Sequence, residues 1–265
     1  MIIEHQVQPL PTISIDGQRI DPTTCIEPGT ALAATIASLP TLFGALAIVL
    51  VTSGIALLGA LLSPLWMGYV NRKAMALIKG SGVEIGEDQL PEIHRCVHIF
   101  SERLGLKQAP DVYLVEASVI NAAAVRFGKR QTILLTDNLI DACLRSHRPN
   151  SLAYVIGHEL GHIALKHTGH FRSLLRGASK RLARLDEYSC DTIATRLVGD
   201  RAIAVSGLIV LATGPQLLPH VNVESLIRQA KEVAEDSYSK KAENGQTHPL
   251  LLNRLNRIMS MREVK

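Results

Sequence analysis

The sequence predicts an α+β domain, mostly helical with a small β-sheet built around one hairpin, preceded by an N-terminal transmembrane segment. Three observations carry this. From Pro28 to Asn71 there are 44 residues without a charged side chain, enough for one bilayer span of about 20 residues or for two short ones. Most of the chain beyond Asn71 places apolar residues at helical spacing. Two apolar runs, Val119–Phe127 and Gln131–Thr136, flank Gly128-Lys129-Arg130, which is a hairpin signal.

Taken in chain order, residues 1–30 form an acidic leader carrying Glu4, Asp16, Asp21 and Glu27 against Arg19 alone. Residues 31–70 are the membrane segment. Thr52-Ser53-Gly54 is the best place for a tight turn, which gives a hairpin of Ala31–Val51 and Ile55–Val70; one span over about Thr41–Leu62 is the other layout. Trp66 and Tyr69 close the run as an aromatic belt, and Arg72, Lys73 and Lys79 come directly after. The positive-inside bias then puts residues 72–265 in the cytoplasm. Asp88 is expected to cap a helix with Ile93, Val97, Phe100 and Leu104 on one face. Asp111–Glu116 alternates as a strand, and Asp137–Leu144 returns to helix. Asn150 or Ser151 caps the next helix, running to about His167. Another spans Ser179–Val198, closed by Gly199. The apolar stretch Ala202–Ala212 is too short to span a bilayer and reads as a buried helix, interrupted afterwards by Gly214, Pro215 and Pro219. Val223–Ser239 and the C-terminus are helical, with a polar break at Lys240–Thr247.

Composition narrows the function. The net charge of +4 hides a basic body: residues 71–265 hold 27 basic and 20 acidic residues. That favours anionic surfaces, but aromatic residues are only 4%, which argues against stacking on nucleic-acid bases. Cys25, Cys96, Cys143 and Cys190 lie far apart with no CxxC, which excludes a disulfide scaffold or a cysteine-based zinc module. A G-x-S-x-G elbow and a glycine-rich phosphate loop are both missing.

Residues 158–162 read His-Glu-Leu-Gly-His. On a helix His158 and His162 project from one face and can hold one Zn²⁺, while Glu159 points about 100° away, within reach of a water in the site. A third ligand is needed. Leu165 and Thr168 stand where the metzincin pattern requires Gly and His, and His167 and His170 are out of register. A later glutamate remains, and Asp186-Glu187-Tyr188-Ser189-Cys190-Asp191 supplies it: Glu187 as ligand and, one turn on, Asp191 as acceptor for the outward N–H of a ligand histidine. His94 and His98 share the i, i+4 spacing but have no such acidic motif.

His158-Glu159-x-x-His162 with Glu187-x-x-x-Asp191 resembles the HtpX and CAAX-prenyl-protease family of membrane-associated zinc metallopeptidases, within the gluzincins. The resemblance implies a zincin-like fold for residues 71–265. It also implies that Asn121-Ala122-Ala123-Ala124 is an edge strand binding extended substrate, and that His248 and Arg254, in a His-Pro…Arg element, stabilise the developing oxyanion. The chain departs from HtpX-type members between the two motifs: residues 163–186 include six Lys or Arg and cannot be a second membrane hairpin. Phe171, Leu174, Leu175, Ala178, Leu182 and Leu185 there make one stripe beside cations, a basic amphipathic helix that would lie on anionic lipid or pack on the domain.

The function expected is a membrane-anchored zinc endopeptidase. It would hydrolyse protein or peptide substrates with Glu159 as general base, in membrane-protein quality control, and bind the lipid bilayer but no nucleic acid. The alternative is a non-catalytic membrane adaptor that retains a peptidase fold.

Overall fold

In the computed structural model of the chain, the described residues are 10–15, 17–52, 55–145, 149–217 and 220–261. Ser53, Gly54 and Pro219, which the sequence marks as turn or break residues, lie outside them. The elements are α1 (Thr30–Val51), α2 (Ile55–Ser81), β1 (Val83–Glu84), α3 (Pro91–Arg103), β2 (Asp111–Val115), β3 (Ala122–Phe127), β4 (Arg130–Thr136), α4 (Asp137–Arg145), α5 (Pro149–Ala164), α6 (His170–Ala178), α7 (Lys180–Val198), α8 (Arg201–Leu217), α9 (Val223–Glu235), α10 (Ser237–Asn244) and α11 (Leu251–Ser260). Mostly helical structure with one small sheet is what the sequence predicts.

The sheet has the order β1-β2-β4-β3, with β2 and β4 parallel and the other pairs antiparallel. Gly128, at φ 63°, makes the tight turn of the β3–β4 hairpin, and β3 is left as the outer strand. Ile133 and Leu135 of β4 face the core, which continues through Phe100, Leu139, Ile156 and Leu160 to Ile193, Leu197 and Leu208. Helix α5 lies at its centre: every residue from Ser151 to Ile163 is buried, as expected of a helix apolar on nearly all sides. Ser179 caps α7 through Leu182 N, and Gly199 ends it at φ 67°.

Four local readings need correction, the first being that Lys240–Asn244, expected as a polar break, lie in α10, while the helix that starts at Val223 breaks at Asp236. Asp88 does not cap α3; the helix starts at Pro91, whose fixed φ suits the first turn, after Leu90 in the left-handed region. Asn150 lies inside α5, its Oδ1 accepting from Ser14 N. That helix stops at Ala164, short of His167. The described part of the acidic leader is strapped onto the domain: Ile13 and Cys25 join the core, Ile20 N donates to Arg103 O, and Glu27 pairs with Arg257.

Helix α1 has 22 residues and a mean hydropathy of 2.1, long and apolar enough to cross a membrane, and is the one described helix that meets both criteria. Its Ala33 and Ala37 pack on Leu175 of α6 and Leu182 of α7. Beyond them its large aliphatics are exposed, as are those of the first half of α2, up to 84% at Val51. Helix α2 continues past Val70 to Ser81 and meets β2 and β3.

Candidate metal centre

Two helices build the site. Gly157 and Gly161, one turn apart on α5, face α7: a Cβ on Gly161 would stand 3.2 Å from both Cα and Sγ of Cys190, and one on Gly157 3.2 Å from Ala194 Cα. The backbones therefore approach closely, and Glu187, one turn before Cys190 and Asp191, reaches the two histidines. His158 Nε2 lies 3.2 Å from Glu187 Oε2 and His162 Nε2 3.4 Å from Glu187 Oε1. Ligands held tetrahedrally at about 2.0–2.1 Å from one Zn²⁺ are roughly 3.3 Å apart, and each imidazole stands at about that separation from one of the two Glu187 oxygens. All three side chains are buried, and their ligand atoms lie within 4.8 Å of one another.

Asp191 is the hub behind His158. Its Oδ1 accepts from Tyr154 Oη (2.8 Å), His158 Nδ1 (2.9 Å) and Arg254 Nη2 (2.6 Å), and its Oδ2 from Arg254 Nε (2.8 Å). With Nδ1–H donated to Asp191, His158 presents Nε2 to the metal position. Burial works to raise the Asp191 carboxyl, but the Arg254 charge and hydrogen bonds hold it well below the usual range. Burial likewise disfavours protonation of His158, yet Asp191 and Glu187 outweigh it and lift the imidazole to about 9. Glu187, despite its burial, is held well below the ordinary value by His158 and His162.

A second network lies behind His162. His162 Nδ1 is 3.1 Å from His167 Nδ1, and His167 Nε2 is 3.3 Å from Asp186 Oδ1. Arg172 chelates Asp186 through Nε and Nη2. Burial first, then His162 and the Arg172 and Arg176 guanidiniums, push His167 down to about 2. Arg176 Nη2 donates to Glu187 Oε1 at 2.8 Å, and its Nη1 lies 3.1 Å from His162 Nδ1. A second cluster able to hold a metal, His162, His167 and Cys190, overlaps the first.

The remaining predicted residues line one cleft of about 460 Å³ that contains the metal position. Glu159 Oε2 accepts from Ala124 N at 2.6 Å. Thr136 N donates to Asn121 O, so alternation along the hairpin turns the backbone groups of Ala122 and Ala124 outward and those of Ala123 towards β4. Both outward N–H groups are engaged, that of Ala124 by Glu159 and that of Ala122 by Asn121 Oδ1 at 2.9 Å. His248 is 65% exposed at the rim, its Nε2 3.7 Å from Glu187 Oε1. Arg254 lines the cleft too, but two of its nitrogens are committed to Asp191.

The stripe from Phe171 to Leu185 is not one helix. It breaks at Ser179 (φ −132°, ψ 100°), which ends α6 and caps α7. Leu175 and Leu182 are buried, Phe171 and Leu174 exposed, and Arg172 and Arg176 turn inward to Asp186 and Glu187. The stripe alone hides this, because an arginine beside an apolar face looks the same whether it meets solvent or a buried acid. Tyr154, four residues before His158 and on the same face, is a partner that spacing could have revealed. His170 is exposed at the start of α6. His94 and His98 contact each other on α3 with centroids 4.2 Å apart and rings tilted at 49°, and belong to neither of the clusters among the described residues that could hold a metal.

Residues 87–178 match the model of peptidase family M48, and the resemblance to the HtpX and CAAX-prenyl-protease type holds over that span. It includes Asn121–Ala124, His158, Glu159 and His162 and ends before Glu187. The match supports a peptidase of the metallopeptidase kind. No curated protein and no solved structure matches the chain.

Proposed function

With the match of residues 87–178 to peptidase family M48 as premise, we propose that the protein is a membrane-anchored zinc endopeptidase. The observation that carries this reading is the convergence of His158, His162 and Glu187 from two helices, beside the carboxylate of Glu159 and open to a cleft. Zinc bound there supplies a Lewis acid that polarises the scissile carbonyl and acidifies a water. Glu159 takes the proton of the attacking water and later delivers it to the leaving amine. Asp191 keeps His158 in the tautomer that binds, and Arg254 keeps Asp191 ionised. His248, exposed at the rim, faces the oxyanion. An extended substrate pairs with the outward groups of Ala122 and Ala124 by strand addition. Pairing through their N–H groups displaces Asn121 Oδ1 and frees Glu159 from Ala124 as the substrate arrives. Main-chain recognition of this kind gives loose sequence preference, which suits quality control of membrane proteins.

The anchor is the α1–α2 pair, with Arg72, Lys73 and Lys79 placing the catalytic domain in the cytoplasm. The decisive experiment is casein hydrolysis by the full chain with and without chelator, beside Glu159→Gln. That variant keeps its zinc and loses at least about a hundredfold in rate. Chelator-insensitive hydrolysis, or a Glu159→Gln chain as active as wild type, would refute the reading.

A further inference from the structure

We propose that His167, backed by Asp186 and Arg172, is a positioning residue for His162: it accepts the outward N–H of that ring and fixes the tautomer that turns Nε2 to the metal. The inference rests on the zinc reading above and concerns side chains that reading leaves unused.

Donors and acceptors decide the direction of each bond. If His162 binds through Nε2, its Nδ1 carries the proton and must find an acceptor. Two groups lie 3.1 Å from Nδ1: His167 Nδ1 and Arg176 Nη1. A guanidinium only donates, so of these two only His167 can accept, and with Nδ1 protonated Arg176 Nη1 must turn away from the ring, keeping its bond through Nη2 to Glu187 Oε1. His167 then carries its own proton on Nε2, which faces Asp186 Oδ1 at 3.3 Å. Asp186 in turn accepts from Arg172. The Nδ1 proton of His162 thus meets an acceptor, and the Nε2 proton of His167 faces the charge of Asp186 in an electrostatic contact. Run the other way, the Nε2 lone pair of His167 would face a carboxylate, and His162 could no longer offer Nε2. The arrangement parallels that behind His158, where Asp191 accepts from the ring and is held by Arg254. Each ligand histidine is backed by a buried aspartate and an arginine, with His167 as the spacer on the second side.

The chain is shaped for this. Helix α5 ends in paired bonds, Lys166 N to Ile163 O and His167 N to His162 O, the Schellman pattern. Lys166 adopts φ 59° at the position glycine usually takes. This stop folds His167 back onto the ring five residues earlier, with centroids 5.2 Å apart.

The test is zinc affinity of the full chain in detergent micelles, by chelator competition at pH 7. An asparagine places Oδ1 where His167 Nδ1 stands; a glutamine reaches the Nε2 position instead. His167→Asn is therefore expected to stay within about threefold of wild type, and His167→Gln to bind about 10–100-fold more weakly. In the wild-type zinc form, ¹⁵N imidazole spectra should show His162 protonated on Nδ1 and His167 on Nε2, a readout that needs no variant. Equal affinities for His167→Gln and wild type, equal losses in both variants, or a proton on His167 Nδ1 would overturn the relay. So would a second zinc equivalent lost on Cys190→Ser, since His162 Nδ1 would then bind metal. A wild-type chain that takes up no zinc would overturn the metal reading and the relay with it.

Discussion

Replacing Asp191 by Asn keeps the shape of the hub and removes its charge. Asp191 is fully buried and Arg254 nearly so, 11% exposed. Its Oδ1 receives three donors and its Oδ2 one. An amide can satisfy the first three only by turning its NH₂ towards Arg254 Nε, so one donor meets another and the guanidinium is left buried without a counter-charge. Breaking a buried pair in this way costs about 3–5 kcal/mol, a large part of the roughly 5–15 kcal/mol that holds a domain folded. His158 still has its acceptor, so zinc affinity changes little. In Asp191→Ala that acceptor goes too, and zinc affinity falls by about 10–100-fold in addition. Urea unfolding of the metal-free chain, followed by chelator competition on both variants, separates the two effects. An Asp191→Asn chain within about 1 kcal/mol of wild type would refute the account of Asp191 as the counter-charge of Arg254, a burial cost that removal of a paired charge cannot escape.

Other perturbations probe the same geometry. His158, lifted to about 9 in the metal-free site, is protonated at neutral pH, so zinc uptake at pH 7 should release about one proton per chain and apparent affinity should rise with pH up to that value. Calorimetry in buffers of different ionisation enthalpy measures this, and a heat independent of buffer would contradict it. Because the folded value is raised, the stability His158 lends the metal-free chain is complete below its unfolded pKa and is lost as pH climbs through about 9; urea midpoints across that range check the sign. In Gly161→Ala the new Cβ, 3.2 Å from the Cys190 backbone, forces α5 and α7 apart. Overpacking of about 1–3 kcal/mol is partly offset by about 1 kcal/mol of helix propensity. Melting should therefore move modestly while zinc affinity drops, because Glu187 travels with α7; unchanged affinity would contradict the close approach of the two backbones. Finally, the chain should resist alkaline carbonate extraction from membranes and yield to detergent, and release by carbonate would remove α1 and α2 from the bilayer.

Much of the architecture was legible in the chain because it rests on local rules. Glycine ends α7 and turns the β3–β4 hairpin, and serine caps α7, since these residues satisfy backbone geometry wherever they occur. The helix around His158 announced its burial by being apolar on all sides. The residues proposed as metal ligands could be placed together for a related reason: i, i+4 spacing fixes which side chains share a face before any packing is known. Other features depended on what approached from elsewhere. Asp88 had the chemistry of a cap, yet Pro91 set the helix start. Arg172 and Arg176 had the pattern of a lipid-facing helix, yet two buried acids on α7 drew them inward.

Residue types and their spacing by themselves determined that two imidazoles share one helical face with a glutamate beside them, that two carboxylates lie a turn apart on another helix, and that a long uncharged run precedes both. Only the tertiary structure decided that these helices meet at Gly157 and Gly161, closely enough for Glu187 to complete the set. Only it brought His167 against His162 and Asp186 against His167. Helical periodicity is local and fixed by the backbone, whereas the partner of a buried polar group is whichever distant side chain the packed core brings within about 3 Å.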